Sequence, residues 1–195
     1  MIAPPQKQRI EALLSASPVT GPLLARWFEL GLGDKWLCAG AVYQTIWNDL
    51  YGLPPAHGIK DMDVIWFARS DPPMKERLLE KSLRQQFPGL PPIDAKNEAH
   101  VHRWYAKSFG SHIRPYRSVA DAVRTFPTVV GSIAVQPDGA GGLHIIAPFG
   151  VEDMMQGVVR ANRRQVTPEI YNAKWQSWIK NWPHLQVQPW SLGVG

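Results

Sequence analysis

The chain has 195 residues, 45% of them hydrophobic and 19% charged, with nine tryptophans, which is enough apolar material for a substantial core and the wrong balance for a disordered chain. A formal charge of +5 suits an anionic partner, but the basic residues form no dense block or stripe, which argues against sequence-specific DNA binding and gives an RNA-acting reading little support. The single cysteine, Cys38, excludes a disulfide framework and a cysteine-ligated zinc site. No apolar run approaches the ~20 residues that span a bilayer, and no signal-peptide core opens the chain, so the expectation is a cytoplasmic protein without a membrane partner.

In chain order, apolar spacing predicts helices from Gln6 to Ser15 and from Pro18 to Leu30, closed by Gly31 and Gly33. Trp36 to Ala39 is a short apolar run that fits a buried strand, Gly40 marks a sharp turn, and Val42 to Tyr51 has one apolar helical face. A Pro/Gly-rich stretch, Gly52 to Gly58, leads to Asp61–Phe67, where aspartates alternate with apolar residues before an apolar run, as in a strand with one exposed end. Asp71-Pro72-Pro73 looks like the cap of a helix over Met74 to Phe87, and Ile93 to Lys96 a short strand with Asp94 and Lys96 on a common face. Asn97 to Phe109 fits helix or extended chain, and Ser118 caps a short helix to Phe126.

Val129–Val135 and Leu143–Ala147 read as a hairpin across a Pro/Gly turn, and Val151 to Arg160 as a helix. In the final helix, Glu169 to Trp182, a stripe of Trp175, Trp178 and Trp182 reads as core or docking surface. Arg160, Arg163 and Arg164 read as solvated charges at a helix end. The expected fold class is mixed α+β in a single domain, residues 1–195. A core of about 31–115 would have the C-terminal hairpin and helices, about 116–195, packed on it.

The chemistry points to the strand that starts at Asp61. Side chains alternate across a strand, so Asp61 and Asp63 share a face. Two carboxylates so placed repel unless a cation lies between them, and a hard divalent ion is the usual answer. The bland alternative is a solvated turn with local hydrogen bonds. His100 and His102 could also share a face, but without a third ligand they do not make a zinc site.

Several separated motifs carry a resemblance: Ala39-Gly40-Ala41-Val42 with Trp47, then Asp61-Met62-Asp63-Val64, then Lys96-Asn97 with His102, Trp104 and Tyr105, then Pro115-Tyr116 with Ser118, then Ala147-Pro148-Phe149-Gly150 with Asp153. In this order they resemble a bacterial family of nucleotidyltransferase-like proteins of unknown function, with the minimal nucleotidyltransferase fold of the DNA polymerase beta superfamily. The resemblance runs from about Trp36 to the C-terminus. It implies a sheet flanked by helices and a Mg²⁺-dependent transfer of a nucleoside monophosphate from an NTP, such as ATP, to an unidentified acceptor, with Mn²⁺ as the alternative ion. Asp61, Asp63 and Asp94 would be the metal-binding and catalytic carboxylates of a two-metal mechanism, with Asp94 nearest the acceptor. Gly40 and Ala41 would hold the triphosphate through backbone N–H groups. Lys96, Asn97 and His102 complete the expected nucleotide-binding set, although Lys96 could equally pair with Asp94, and His102 could be structural.

Two departures from the superfamily pattern stand out, namely Ala41 in place of Ser or Gly and a long interval from Gly40 to Asp61. The rival expectation is a catalytically weak or inactive nucleotide-binding protein on the same fold. A small-molecule acceptor is expected over protein or RNA.

Overall fold

The computed structural model describes residues 2–195. Its centre is a five-stranded mixed sheet in the order β3-β2-β1-β4-β5, built from β1 (Trp36–Cys38), β2 (Met62–Trp66), β3 (Ile93–Asn97), β4 (Ala134–Pro137) and β5 (Leu143–Ile146). Only β2 and β3 run parallel; the other neighbours are antiparallel. Helices α1 (Pro4–Ala16), α2 (Gly21–Ala25), α3 (Gly40–Leu50) and α4 (Met74–Gln86) come from the first half of the chain. The second half adds α5 (Tyr105–Phe109), α6 (Val119–Val123), α7 (Glu152–Gln156) and α8 (Pro168–Trp178), with a small parallel pair, β6 (Val158–Val159) and β7 (Gln186–Val187). The architecture is mixed α+β, a sheet flanked by helices. No described helix is long and apolar enough to cross a membrane.

Alternation divides the sheet into two unlike faces. Leu37, Met62, Val64, Ile93 and Val135 point one way into the main core, with Ile10, Leu14, Ile46 and Trp47 of α1 and α3. Cys38, Ile65 and Ala134 point the other way, where they meet only a small apolar cluster with Val119 and Val123 of α6. The carboxylates of β2 and β3 belong to this second, thinly covered face.

Most predicted element types hold and differ at their ends, but the helix expected over Val151 to Arg160 is helical only over Glu152–Gln156, and Val158–Val159 is the strand β6. The second helix stops at Ala25, because tight turns carry the chain onward to bury Trp27 and Leu32 while Phe28 stays exposed. Asp71 does not cap α4. Its carboxylate accepts from the Trp66 indole and the Lys75 ammonium instead, and Pro73 holds the cap position. β4 starts only at Ala134, since Thr128 organises the preceding turn by accepting from the Gly131 N–H and the Ser132 hydroxyl. α7 ends at the left-handed Gly157, so Arg160 is not at a helix end. It forms a two-bond ion pair with Asp153.

The tryptophan stripe is structural. Trp178 and Trp182 are buried against Trp47 of α3, with ring centroids 5.5 Å apart in both pairs. Trp182 donates its indole N–H to the buried Asn48 at 2.8 Å. Gly52–Gly58 lies at the same end, where Asn48 also donates to the carbonyls of Pro55 and His57. The long Gly40–Asp61 interval therefore has a geometric cause: α3 rises about 16 Å over its 11 residues, and the chain must retrace that length to return to Asp61.

Candidate functional site

β1 leaves the sheet beside Asp63 and turns directly into α3. Ala39, at the junction, has φ 50° and ψ −118°, a conformation that suits glycine. The N–H groups of Gly40 and Ala41, in the first helical turn, make no backbone hydrogen bond. A Cβ added to Gly40 would lie 3.9 Å from a carboxylate oxygen of Asp61, so the start of α3 and the start of β2 adjoin. In the parallel pairing Asp63 stands opposite Asp94, and across the antiparallel pairing it stands opposite Cys38. Asp61 and Asp94 are exposed, and Asp63 is half-buried between them.

Burial pushes the Asp63 carboxyl up to about 6, and the charges of Asp61 and Asp94 add to the rise, while Lys174 and Lys96 oppose it. The carboxylates thus share one field, and Lys174, reaching in from α8, faces it. Desolvation lowers the Lys174 ammonium, and Asp63 and Asp61 pull it back up. Among the described residues no three His, Cys, Asp or Glu side chains converge tightly enough to enclose an ion as they stand. The donor chemistry of Asp61, Asp63 and Asp94 nevertheless fits a hard divalent cation: all three are carboxylates, and their mutual repulsion is what such an ion would relieve.

Two adjoining cavities open on this face. One, about 220 Å³, is lined by Cys38, Ala39, Tyr43, Asp63 and Trp178 among others. The second, about 280 Å³, has aromatic walls that include Tyr105, Tyr116 and Phe126. Lys96, Glu98, Phe126, Pro127 and Lys174 belong to both, so the two form a continuous cleft between the sheet and α8.

Of the residues singled out from the sequence, Asp61, Asp63, Asp94, Gly40 and Ala41 gather at the sheet end. Lys96 lines the cleft, with its ammonium 3.8 Å from Glu80 of α4 rather than on Asp94. Asn97 is buried and held by backbone: its carbonyl oxygen accepts from the N–H groups of Ala68 and Ala99, and its amide donates to the Ala68 carbonyl. His102 lies in a single 3-10 turn, Val101–Arg103, outside the lining of either cavity. His100 bonds through Nε2 to the Asp71 carbonyl.

Sequence reading missed Glu98 and Lys174. For Lys174 a signal existed, since it falls one turn from both Ile170 and Trp178 on one face of α8. For Glu98 the only hint was its alternation with Asp94 and Lys96. It is 94% buried, at 6% exposure, and burial pushes its carboxyl up to about 8, with Asp63 and Glu76 adding to the shift.

The fold corresponds to that of a known family. The nucleotidyltransferase family model matches residues 25–187, and the chain belongs to the nucleotidyltransferase family. Among solved structures it is similar to one described as revealing a CCA-adding enzyme head domain, with 28% identity and a TM-score of 0.76 over 93% of this chain and 95% of that one. A tRNA-processing enzyme in an apo form is 12% identical, with a TM-score of 0.44, over 85% of this chain and 44% of that one. No curated protein matches.

Proposed function

We propose that this nucleotidyltransferase transfers a nucleoside monophosphate from an NTP to an acceptor hydroxyl or phosphate by a two-metal mechanism, with Asp61, Asp63 and Asp94 holding Mg²⁺ or Mn²⁺. The observation that carries the reading is Asp63, whose carboxyl is pushed up to about 6 by burial and by Asp61 and Asp94, on strands that adjoin the open N-terminus of α3. A binding protein gains nothing from carboxylates so arranged unless a cation joins them. Such ions would neutralise the phosphates and activate the acceptor.

The chain's own residues supply the rest. The free N–H groups of Gly40 and Ala41 orient the phosphates, Lys96 and Lys174 balance their charge from the two walls, and Asp94, the outermost carboxylate, takes the acceptor proton. The acceptor is a small molecule that fits the cleft. The solved neighbour named for a CCA-adding enzyme makes an RNA end the competing acceptor. A cytoplasmic setting agrees with a lone buried thiol at Cys38.

Thermal unfolding with Mg²⁺ and each NTP tests this, on the wild type and on an Asp61→Asn/Asp63→Asn variant. A ligand at a hundredfold excess over its Kd stabilises the folded state by about 2.7 kcal/mol. We expect a Mg²⁺-dependent shift that the variant loses, with pyrophosphate released once an acceptor is supplied. No shift with any NTP in folded wild type overturns the reading.

A further inference from the structure

The larger cavity is lined by two charged groups, Glu98 and Lys174, for which the described residues supply no hydrogen-bond or ion-pair partner. Around them, polar atoms are paired: the Tyr105 hydroxyl donates to the Gln165 carbonyl, the Gln165 amide donates to the Tyr116 hydroxyl, and Tyr116 meets the Thr125 hydroxyl at 2.9 Å. These bonds fix the rings of the wall. Tyr105 and Phe109 meet at a tilt of 40° with centroids 4.6 Å apart, and Trp104 and Phe109 stand partly exposed at the rim. Glu98 differs. It is 94% buried at 6% exposure and lines both cavities, yet among the described residues its carboxyl has neither a hydrogen-bond nor an ion-pair partner.

The Glu98 carboxyl faces the cavity without a protein partner, so its oxygens are open to a guest that displaces water there. Rigid aromatic walls favour a flat guest. The position of Glu98 suits recognition better than chemistry: it follows Asp94 by four residues on the same side of the β3 path, about 13 Å at the rise of an extended chain.

We infer that this cavity is a nucleobase subsite, in which the aromatic walls take the ring and the Glu98 carboxyl accepts a ring or exocyclic N–H. The inference rests on the nucleotidyl-transfer reading of the neighbouring carboxylates and adds to it the place where a base is held. That base belongs either to the donor NTP or to a nucleoside-bearing acceptor, and the chemistry of the cavity is the same for both.

Saturation-transfer NMR and calorimetry with the four phosphate-free nucleosides, in EDTA, test the subsite without the metal site. Wild type binds at least one of them, and Glu98→Leu, which removes the acceptor but keeps the bulk, weakens that binding about tenfold. Mg²⁺-dependent binding of inorganic tripolyphosphate stays unchanged in this variant and is lost in Asp61→Asn/Asp63→Asn. If the nucleoside and a Mg²⁺-NTP compete, the base is the donor's; if both bind together, it is the acceptor's. No nucleoside binding up to millimolar concentration, or equal binding by folded Glu98→Leu, overturns the subsite. Loss of tripolyphosphate binding by wild type instead overturns the metal site alone.

Discussion

Ala39 occupies backbone space that favours glycine, at the junction between β1 and α3, and such a conformation costs on the order of 1–3 kcal/mol. Ala39→Gly is expected to stabilise the protein by about 1 kcal/mol, read from the urea midpoint, after the extra chain entropy of glycine is deducted. Asp63 predicts a pH effect of definite sign. Its carboxyl, raised from 3.8 to about 6, binds its proton more tightly in the folded state than in the unfolded one. Without divalent ions, its contribution to stability therefore declines as pH rises from about 4 to 6. Asp63→Asn should be the more stable protein at pH 8 in EDTA, by on the order of 2 kcal/mol, with the gap closing by pH 4. Glu98, raised to about 8, extends the same decline to higher pH. The Asp-x-Asp was legible because period-two alternation is a local property. The strain at Ala39 and the burial of Glu98 were not, since a φ angle leaves no composition signal and Glu98 is covered by residues from distant parts of the chain.

The C-terminal elements set the geometry of the cleft. α8 brings Lys174 and Ile170 to it, and its continuation is anchored where Trp182 lies over Gly58. A Cβ at Gly58 would come 2.5 Å from the indole, and the residue's φ is +69°. Gly58→Ala should therefore cost about 2–3 kcal/mol and, by loosening α8, weaken NTP binding in protein that remains folded. Tm and NTP affinity measured together check both effects. The stripe of tryptophans was readable as core from its spacing, but its partners, Trp47 and Asn48, were not, because pairing across 134 residues is a property of the assembled fold. Boundaries went wrong where a side chain redirected the backbone, as Thr128 does before β4, or where tertiary burial outweighed periodicity, as Trp27 does after α2.

At the scale of the molecule, an open sheet has two edges, and here each is met by a helix glutamate. On β3, Glu80 accepts from the Ala95 N–H at 3.0 Å and Glu76 from the Asn97 N–H at 2.8 Å. On β5, Glu11 of α1 accepts from the Leu143 N–H at 2.8 Å. Unpaired strand N–H groups are the template on which another chain adds. Glu76→Ala/Glu80→Ala is expected to lower stability by about 1–3 kcal/mol and to produce concentration-dependent self-association, visible by sedimentation velocity. These carboxylates stand in for a missing sixth strand. They occupy the N–H groups that an incoming strand would need, so the helices that close the core also keep one copy of the chain from continuing the sheet of another.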